Sequence, residues 1–535
     1  MRRNFVKIFK QMKTTKKIIL TGIACCLCVN GLFAGGLLTN TNQSVHFLRN
    51  PARNASIEID AVYTNPAGLA MLSDGWHFSL NNQTATQTRT ITSTFDPFAL
   101  GEGGSATKVF EGKTTAPFIP SLWSAYKKGN WVFSGGVSVV GGGGSLTFDK
   151  GLPLFESQIA APIAMLSSAA NISDNSYTLD SKLTGTSMIL GVQLGATYKI
   201  NDFFSAFVGG RANFVNSGYE GYLRNVNIAK ANDLTTYFTT AATMANGAAA
   251  SLQPAIDGGF GNVPLNMLGL PAEQIAQMAA GLGITAEQIG GLSVLEVQGA
   301  FGNAAAQATG AAAGVAQISS TNLELNCKQS GWGITPILGF NFNYEKLNIG
   351  VKYEFITKLT VTNKEGGVNT TGIDAYNDGY ETPYDIPAIL AVGAQYDIIP
   401  SITVSASYNH FFESAANMAN DRQQLIDGGA SDYMLGAEWR INKRFLISAG
   451  GSFSRTGVTD DYQTDLNYGL NSNSLCFGGA VNITESLRVN LGCILTKYSE
   501  WAKPETLDYN GTGIKGTDVF FRSNAVFGIG VDYRF

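Results

Sequence analysis

Few side chains in this chain are spaced for covalent chemistry. The three histidines, His46, His77 and His410, are scattered over 535 residues, and no spacing suggests a metal site. No serine or histidine has a sequence context that pairs a nucleophile with a base. The glycine run 141–144 lacks the Gly-Lys-Ser/Thr ending of a phosphate loop. Two acidic groups, Asp374, Asn377, Asp378 and Glu381 in one loop and Asp460, Asp461 and Asp465 in another, offer oxygens for calcium, but such runs are usually solvated loop surface. Three of the six cysteines, Cys25, Cys26 and Cys28, lie in an N-terminal apolar stretch. The remaining three, Cys327, Cys476 and Cys493, cannot all pair. Cys493 shares a strand face with Val489, Leu491 and Leu495, whereas Cys476 goes with Ser474, Gly478 and Asn482, so these two point to opposite faces and should be inert thiols. These residues imply neither an enzyme nor a cofactor.

What remains is apolar surface that could hold a greasy ligand. Residues 221–320 form a segment far longer than an ordinary loop, which argues for a function. Pro271 can open a helix to about Ala280, and Leu270–Ile275 recurs in altered form at Ile284–Ile289. Phe260, Leu265, Met267, Leu268, Ile275, Met278, Leu282 and Ile289 would then either pack into the loop's own core or present a docking face. Methionines there would suit ligands of varied shape.

The elements that must carry this loop alternate with period two. Met188, Leu190, Val192, Leu194, Ala196 and Tyr198 oppose Gly191, Gln193, Gly195, Thr197 and Lys199; Ala525, Phe527, Ile529, Val531, Tyr533 and Phe535 oppose a small and polar set in which Val526 is the one apolar residue. Six tight turns, at 126–130, 200–202, 343–346, 397–400, 441–443 and 482–485, each join two such runs, and long polar or small-residue stretches separate the pairs. With a leading run near Trp76–Thr90 and a closing run Ser523–Phe535, the count is fourteen. Short turns alternating with long loops predict an all-β, antiparallel transmembrane barrel over 75–535. Aromatics near strand ends (Tyr198, Tyr344, Tyr396, Tyr498, Trp501 and Tyr533) would form its girdles.

Composition agrees: 14% of residues are charged and 62 are glycine. After the N-terminus no apolar run is long enough for a membrane helix. Residues 1–34 read as an export signal, with seven basic residues, none acidic, and the apolar stretch Ile18–Phe33. Without those seven the chain holds 29 basic against 40 acidic residues, a charge of −11 that disfavours nucleic acid as a partner.

Residues 35–74 break the strand pattern and contain Asn50-Pro51-Ala52 and Asn65-Pro66-Ala67-Gly68-Leu69-Ala70, which favour turns. With both termini on the tight-turn side, this segment can fold back as a plug. The stretch from Gly35 to Leu72, above all Ala61–Ala70, with Ala116–Pro120 and the hairpin Leu122–Val140, resembles the FadL/TodX transporters of long-chain fatty acids and hydrocarbons. The resemblance implies that Asn65, Pro66 and Ala67 belong to a hatch. It also implies an inward kink in strand three that opens the wall sideways, matched here by Gly135 and Gly136 and by Gly141–Gly144.

The expected protein is a monomeric outer-membrane channel with periplasmic termini, surrounded by outer-membrane lipids, that passively admits hydrophobic molecules such as long-chain fatty acids. The rival readings are a barrel for adhesion or host contact and a polar-solute porin. A carboxylate ligand would need a cation, for which Arg211, Lys352, Arg440, Arg455 and Arg488 are candidates.

Overall fold

The computed structural model describes residues 37–535, so the expected export signal lies outside the described residues. One antiparallel sheet closes on itself, with Gly75–Phe95 (β1) paired along its length to Gly516–Arg534 (β14). Between them run Thr107–Lys128 (β2), Trp131–Phe148 (β3), Tyr177–Lys199 (β4), Phe204–Ile228 (β5) and Leu323–Tyr344 (β6). Strand β7 is Leu347–Glu354 continued by Thr360–Asn363 and Val368–Asn369, and β8 is Glu381–Pro383 with Ile389–Ile399. Then come Ile402–Phe411 (β9), Ser431–Arg440 (β10), Phe445–Arg455 (β11), Ser472–Asn482 (β12) and Leu487–Tyr498 with Trp501–Ala502 (β13). The barrel has fourteen strands, and all six tight turns stand where the alternation broke.

The greasy faces point outward. Leu194, Leu435, Leu491 and Phe527 are each more than half exposed, and their neighbours in sequence face the lumen. Turning apolar side chains to the outside is unfavourable in water and favourable in hydrocarbon, so this wall spans a membrane. At the tight-turn end Trp76 packs on Tyr126 and Trp131 on Tyr198, with ring centroids 4.8 and 4.7 Å apart, and Phe203, Tyr344, Tyr533 and Phe535 extend the belt. Tyr353, Phe412, Tyr408, Tyr433 and Phe453 form the opposite belt. Tyr498 and Trp501 do not join it. Tyr498 is buried on the lumen face, and the Trp501 indole donates to Asp460 in a loop at 2.8 Å.

Loops at the other end build a cap. After β3, Pro153–Ala170 forms a helix (α3) that is buried along most of its length within the upper lumen. The longest loop begins after Ile228, later than residue 221, because β5 runs well past the membrane. It holds the antiparallel helices Ala231–Ser251 (α4) and Val294–Ser319 (α7), with Ala272–Leu282 (α5) and Ala286–Gly290 (α6) at their tip. Inside the barrel below, two short helical turns, Val45–Arg49 (α1) and Ala61–Thr64 (α2), belong to the segment before β1. Cys327, Cys476 and Cys493 are free and buried.

The outer wall can be probed at Leu435, 68% exposed between the two belts. Leu435→Arg should cost about 2–4 kcal/mol of barrel stability, measured by denaturant unfolding from lipid vesicles, because a guanidinium there meets hydrocarbon.

Candidate functional site

Residues 38–73 fill the lumen, and the wall is shaped to receive them. On β7, β8, β10, β11, β12, β13 and β14 an inward glycine (Gly350, Gly393, Gly436, Gly450, Gly478, Gly492 and Gly528) lies against hatch residues 45–55. A Cβ at Gly393 would come within 2.8 Å of the Asn54 and Ala55 backbone. At Gly436 it would fall 1.9 Å from Asn50 Oδ1. On β9 serines replace glycine: Asn50 Nδ2 donates to Ser405 Oγ (3.2 Å) and the Asn54 amide to Ser407 Oγ (3.0 Å). Val526, the apolar residue on an otherwise polar face, packs with Val45, Leu48 and Cys476, so it is a contact for the hatch helix.

Ion pairs fasten the same segment. Arg49 Nη1 donates to Glu438 (2.5 Å) and Ser448 (2.7 Å), Arg488 reaches Glu58 (2.7 Å), and His46 lies 3.0 Å from Asp532. Arg53 donates twice to Asp60, at 2.8 and 2.7 Å. His46, Glu58 and Asp60 converge as three metal ligands would, but both carboxylates are already neutralised by guanidinium groups, which makes this an ion-pair network.

The Asn65-Pro66-Ala67 motif is a clamp on β4 to β6. Asn65 Nδ2 donates to Asn341 Oδ1 (2.7 Å) and to the Ser56 carbonyl (3.0 Å). The Pro66 and Ala67 carbonyls accept from Thr197 and Ser205, both at 2.7 Å. Pro66 sits at the first position of a tight helical turn, where its missing N–H costs nothing. Gly68 must be glycine, because a Cβ would lie 2.5 Å from the Ser56 carbonyl oxygen.

The wall is broken beside the hatch. Pairing of β2 with β3 stops at Ser121–Ser138 and resumes only at Lys113–Thr147. Over that gap β3 stays on β4 through two register shifts, at Val139/Gly141 and Gly142/Gly144, while Gly142 and Gly143 take φ of +65° and +120°. The freed β3 carbonyls bond inward: Val140 accepts from the Asn40 amide (2.8 Å), Gly142 from Asn40 Nδ2 (2.8 Å), and Val139 from Gln43 (3.0 Å). Gly135 and Gly136 are not in the gap. They lie in regular ladder with Ser124 and Trp123, because the break falls at the glycines carrying positive φ.

Other candidates are distributed differently. Leu265 and Ile289 are fully buried at the tip of the long loop, and Ile275, Met278, Leu268 and Leu282 pack beside them, while Phe260 and Met267 are exposed. The first six form the loop's own core instead of a face over the mouth, and Phe260 and Met267 stand outside that core. The helix α4 that carries them, 21 residues and ~31 Å long, anchors Leu234 and Phe238 near the barrel and holds the tip core at its far end. The apolar lining of the upper lumen comes from α3 instead, where Ile159, Ile163 and Leu166 meet Ile91, Phe95 and Phe520. The acidic loop residues are hydrogen-bond acceptors: Asp378 takes the Gly366 and Gly367 amides, Asp460 the Trp501 indole, and Asp465 the Leu154 amide.

The expected cations are mostly engaged. Arg211 and Lys352 share Glu354, Arg488 holds Glu58, Arg440 lies 4.0 Å from Asp397, and Arg455 lies over Phe453. A group that the sequence did not single out stands above the hatch. Arg89 and Arg522 are direct partners across β1 and β14, both buried, and flank Tyr468 with each guanidinium 5.5 Å from its ring. Arg422 lies 4.3 Å over Tyr462 and donates to its carbonyl. Both Arg422 Nε and Arg522 Nε lack a partner among the described residues. Leu37, the first described residue, packs on Tyr462 and Met418, so the hatch's leading end reaches this arginine–tyrosine cluster.

Among solved structures, a Pseudomonas aeruginosa FadL homologue matches with a TM-score of 0.56, at 11% identity over 94% of this chain and 100% of that one. The chain has the fold of a FadL-type barrel. The toluene transporters TbuX of Ralstonia pickettii and TodX of Pseudomonas putida also match, at 15% and 14% identity, each over 89% of this chain and 94% of theirs, with TM-scores of 0.45 and 0.47. No protein-family model and no curated protein sequence matches.

Two outcomes follow from this geometry. Gly393→Val should expel the hatch while leaving the wall intact. Trypsin should then cut at Arg49 or Arg53 in a barrel that keeps its folded mobility on gels. The second concerns Glu413, in the loop after β9, whose carboxylate accepts the Leu37 and Ala430 amides. Burial pushes this carboxyl up to about 8. The docked arrangement therefore binds a proton that the released one gives up: it is favoured at low pH, weakens as pH rises from the ordinary carboxylate range toward 8, and levels off above. Thiol labelling of Leu37→Cys, taken relative to a free thiol at each pH, should rise across that range and stay flat in Leu37→Cys/Glu413→Gln.

Proposed function

We propose that this protein is an outer-membrane channel for passive uptake of hydrophobic molecules, with long-chain fatty acids as cargo and both termini in the periplasm. The observation that carries this reading is the unpaired gap between β2 and β3, lined from inside by hatch residues Asn40 and Gln43. A polar solute has no use for an exit into hydrocarbon. A cavity of about 820 Å³ beneath the hatch opens toward the tight turns, but Lys443, Arg444, Arg488, Asp532 and Arg534 line it, and such a vestibule does not suit an alkyl chain.

In this scheme the ligand enters past α3, and its carboxylate meets Arg522 and Arg422 in the arginine–tyrosine cluster. Each methylene buried there contributes about 0.8 kcal/mol, so a long tail is drawn out of water without an energy source. Occupancy displaces Leu37 and the leading end of the hatch, the Asn40 and Gln43 bonds to β3 loosen, and the tail leaves through the gap. Every step is binding and conformational change.

The rival reading as a surface for adhesion or host contact draws support from the tip of the long loop, which has its own core and exposes Phe260 and Met267.

Uptake of labelled oleate by cells with and without the gene separates these readings. Transport requires that uptake fall with loss of the gene, with deletion of 65–67, and at least tenfold with Gly142→Val/Gly143→Val, which straightens β3. Arg522→Gln should weaken oleate uptake more than that of a neutral alkane. Unchanged uptake in the gene deletion would remove the reading.

A further inference from the structure

A second irregularity lies on the outer face of the wall, away from the hatch path. Pairing of β6 with β7 lapses between Ser330–Thr362 and Ile337–Glu354. Over that interval β7 and β8 stay joined to each other, through a Thr357–Ile386 bridge, and tuck behind β6. Gly331 and Gly333 permit this approach, since a Cβ on either would lie within 2.8 Å of the Thr360 or Lys358 carbonyl oxygen. The result is an outward recess of about 1010 Å³ whose walls include Phe214, Trp332 and Leu359. Phe214 and Trp332 are 46% and 64% exposed on the lipid side. Trp332 stands twelve residues above Tyr344 of the lower belt, roughly 30 Å along the membrane normal for a tilted strand, which places the recess at the loop-side interface.

Lys358 lines it, and Lys328 and Lys364 stand two residues above its lining residues Ser330 and Thr362. Lys358, 64% exposed, pairs with Asp385 at 2.7 Å. Lys328 and Lys364 meet across β6 and β7, with the Lys364 amide donating to the Lys328 carbonyl at 2.8 Å. Both point outward and exposed, and neither forms an ion pair among the described residues. Asp378, on the nearby loop, is turned to the Gly366 and Gly367 amides. Like charges directly opposite on neighbouring strands are unfavourable unless an anion lies between them. Lysines just above an aromatic belt, beside an apolar recess, match a phosphorylated headgroup with its acyl chain below.

We infer that Lys328 and Lys364, with the Phe214–Trp332 recess, bind a phosphorylated lipid of the loop-side leaflet. This rests on the membrane placement of the barrel and not on transport, so it can fail while uptake stands. The lipid phosphate lies between the two ammonium groups, and one acyl chain runs down Trp332 toward Ile334.

The test is native mass spectrometry of the full-length protein in detergent, titrated with diphosphoryl lipid A and, in separate arms, phosphatidylethanolamine and inorganic phosphate. Lipid A should form a one-to-one adduct that outlasts detergent removal. Lys328→Gln/Lys364→Gln should bind it at least tenfold more weakly, and Trp332→Ala severalfold more weakly. Lys443→Gln/Arg444→Gln, at the opposite end, should not differ from the unsubstituted protein. Heat-dependent gel mobility checks that each variant is folded. Equal lipid A binding by the lysine double variant would overturn the proposal, as would absence of an adduct, equal affinity for phosphatidylethanolamine, or displacement by inorganic phosphate at the lipid's own concentration.

Discussion

The whole arrangement depends on backbone approaching backbone inside the lumen. A fourteen-stranded barrel is too wide for its own side chains to fill, so it either conducts water or needs an insert. Here the insert fits because the inward positions of seven strands carry no side chain where residues 45–55 pass. The high glycine content follows from that geometry: the outer face must be greasy, and the inner face must make room. Side chains of β9, within that same stretch of wall, and of β6 beside it then close the contact through hydrogen bonds with Asn50, Asn54 and Asn65.

Charge divides the lumen into zones. Around the hatch, each buried arginine that touches it has a carboxylate, which offsets the cost of taking both from water. Above it, buried arginines lie on tyrosine rings and bond to backbone carbonyls instead of carboxylates. The hatch therefore sits against a tightly paired wall, with its leading end packed beside the arginine–tyrosine cluster. Residues 45–67 are held by ion pairs as well as hydrogen bonds, whereas the uncharged residues 37–43 are held by hydrogen bonds and packing.

The barrel was legible in the sequence because its signals are local. Alternation and turn residues fix each hairpin, and one face of each strand must be greasy throughout, so Asn442 or Asn482 marks a turn without knowledge of any partner. In residues 35–74 the sequence showed only a break in alternation and Asn-Pro turns; the hatch role of Asn65, Pro66 and Ala67 came from the family resemblance. The long helices α4 and α7 were less visible because residues 299–316 are mostly alanine and glycine, so the buried stripe of Phe301, Ala305, Ala308, Ala312 and Val315 contrasts little with the other faces. Helix α3, buried all round, shows none either. The arginine–tyrosine cluster was hidden because Arg89, Arg422, Tyr468 and Arg522 come from opposite ends of the chain and meet only through barrel closure. Of the two glycine groups named on strand three only Gly141–Gly144 falls in the break, because glycine content alone does not distinguish a close approach, as at Gly136, from a left-handed turn, as at Gly142.

The most direct test of the central claim is a crystal structure of the protein grown with a long-chain fatty acid. Density for the carboxylate against Arg522 and Arg422, a tail directed toward residues 139–144, and displacement of 37–43 from those positions are the predicted result. A fatty acid bound only at the tip of the long loop, above a hatch unchanged from Leu37 onward, would contradict it.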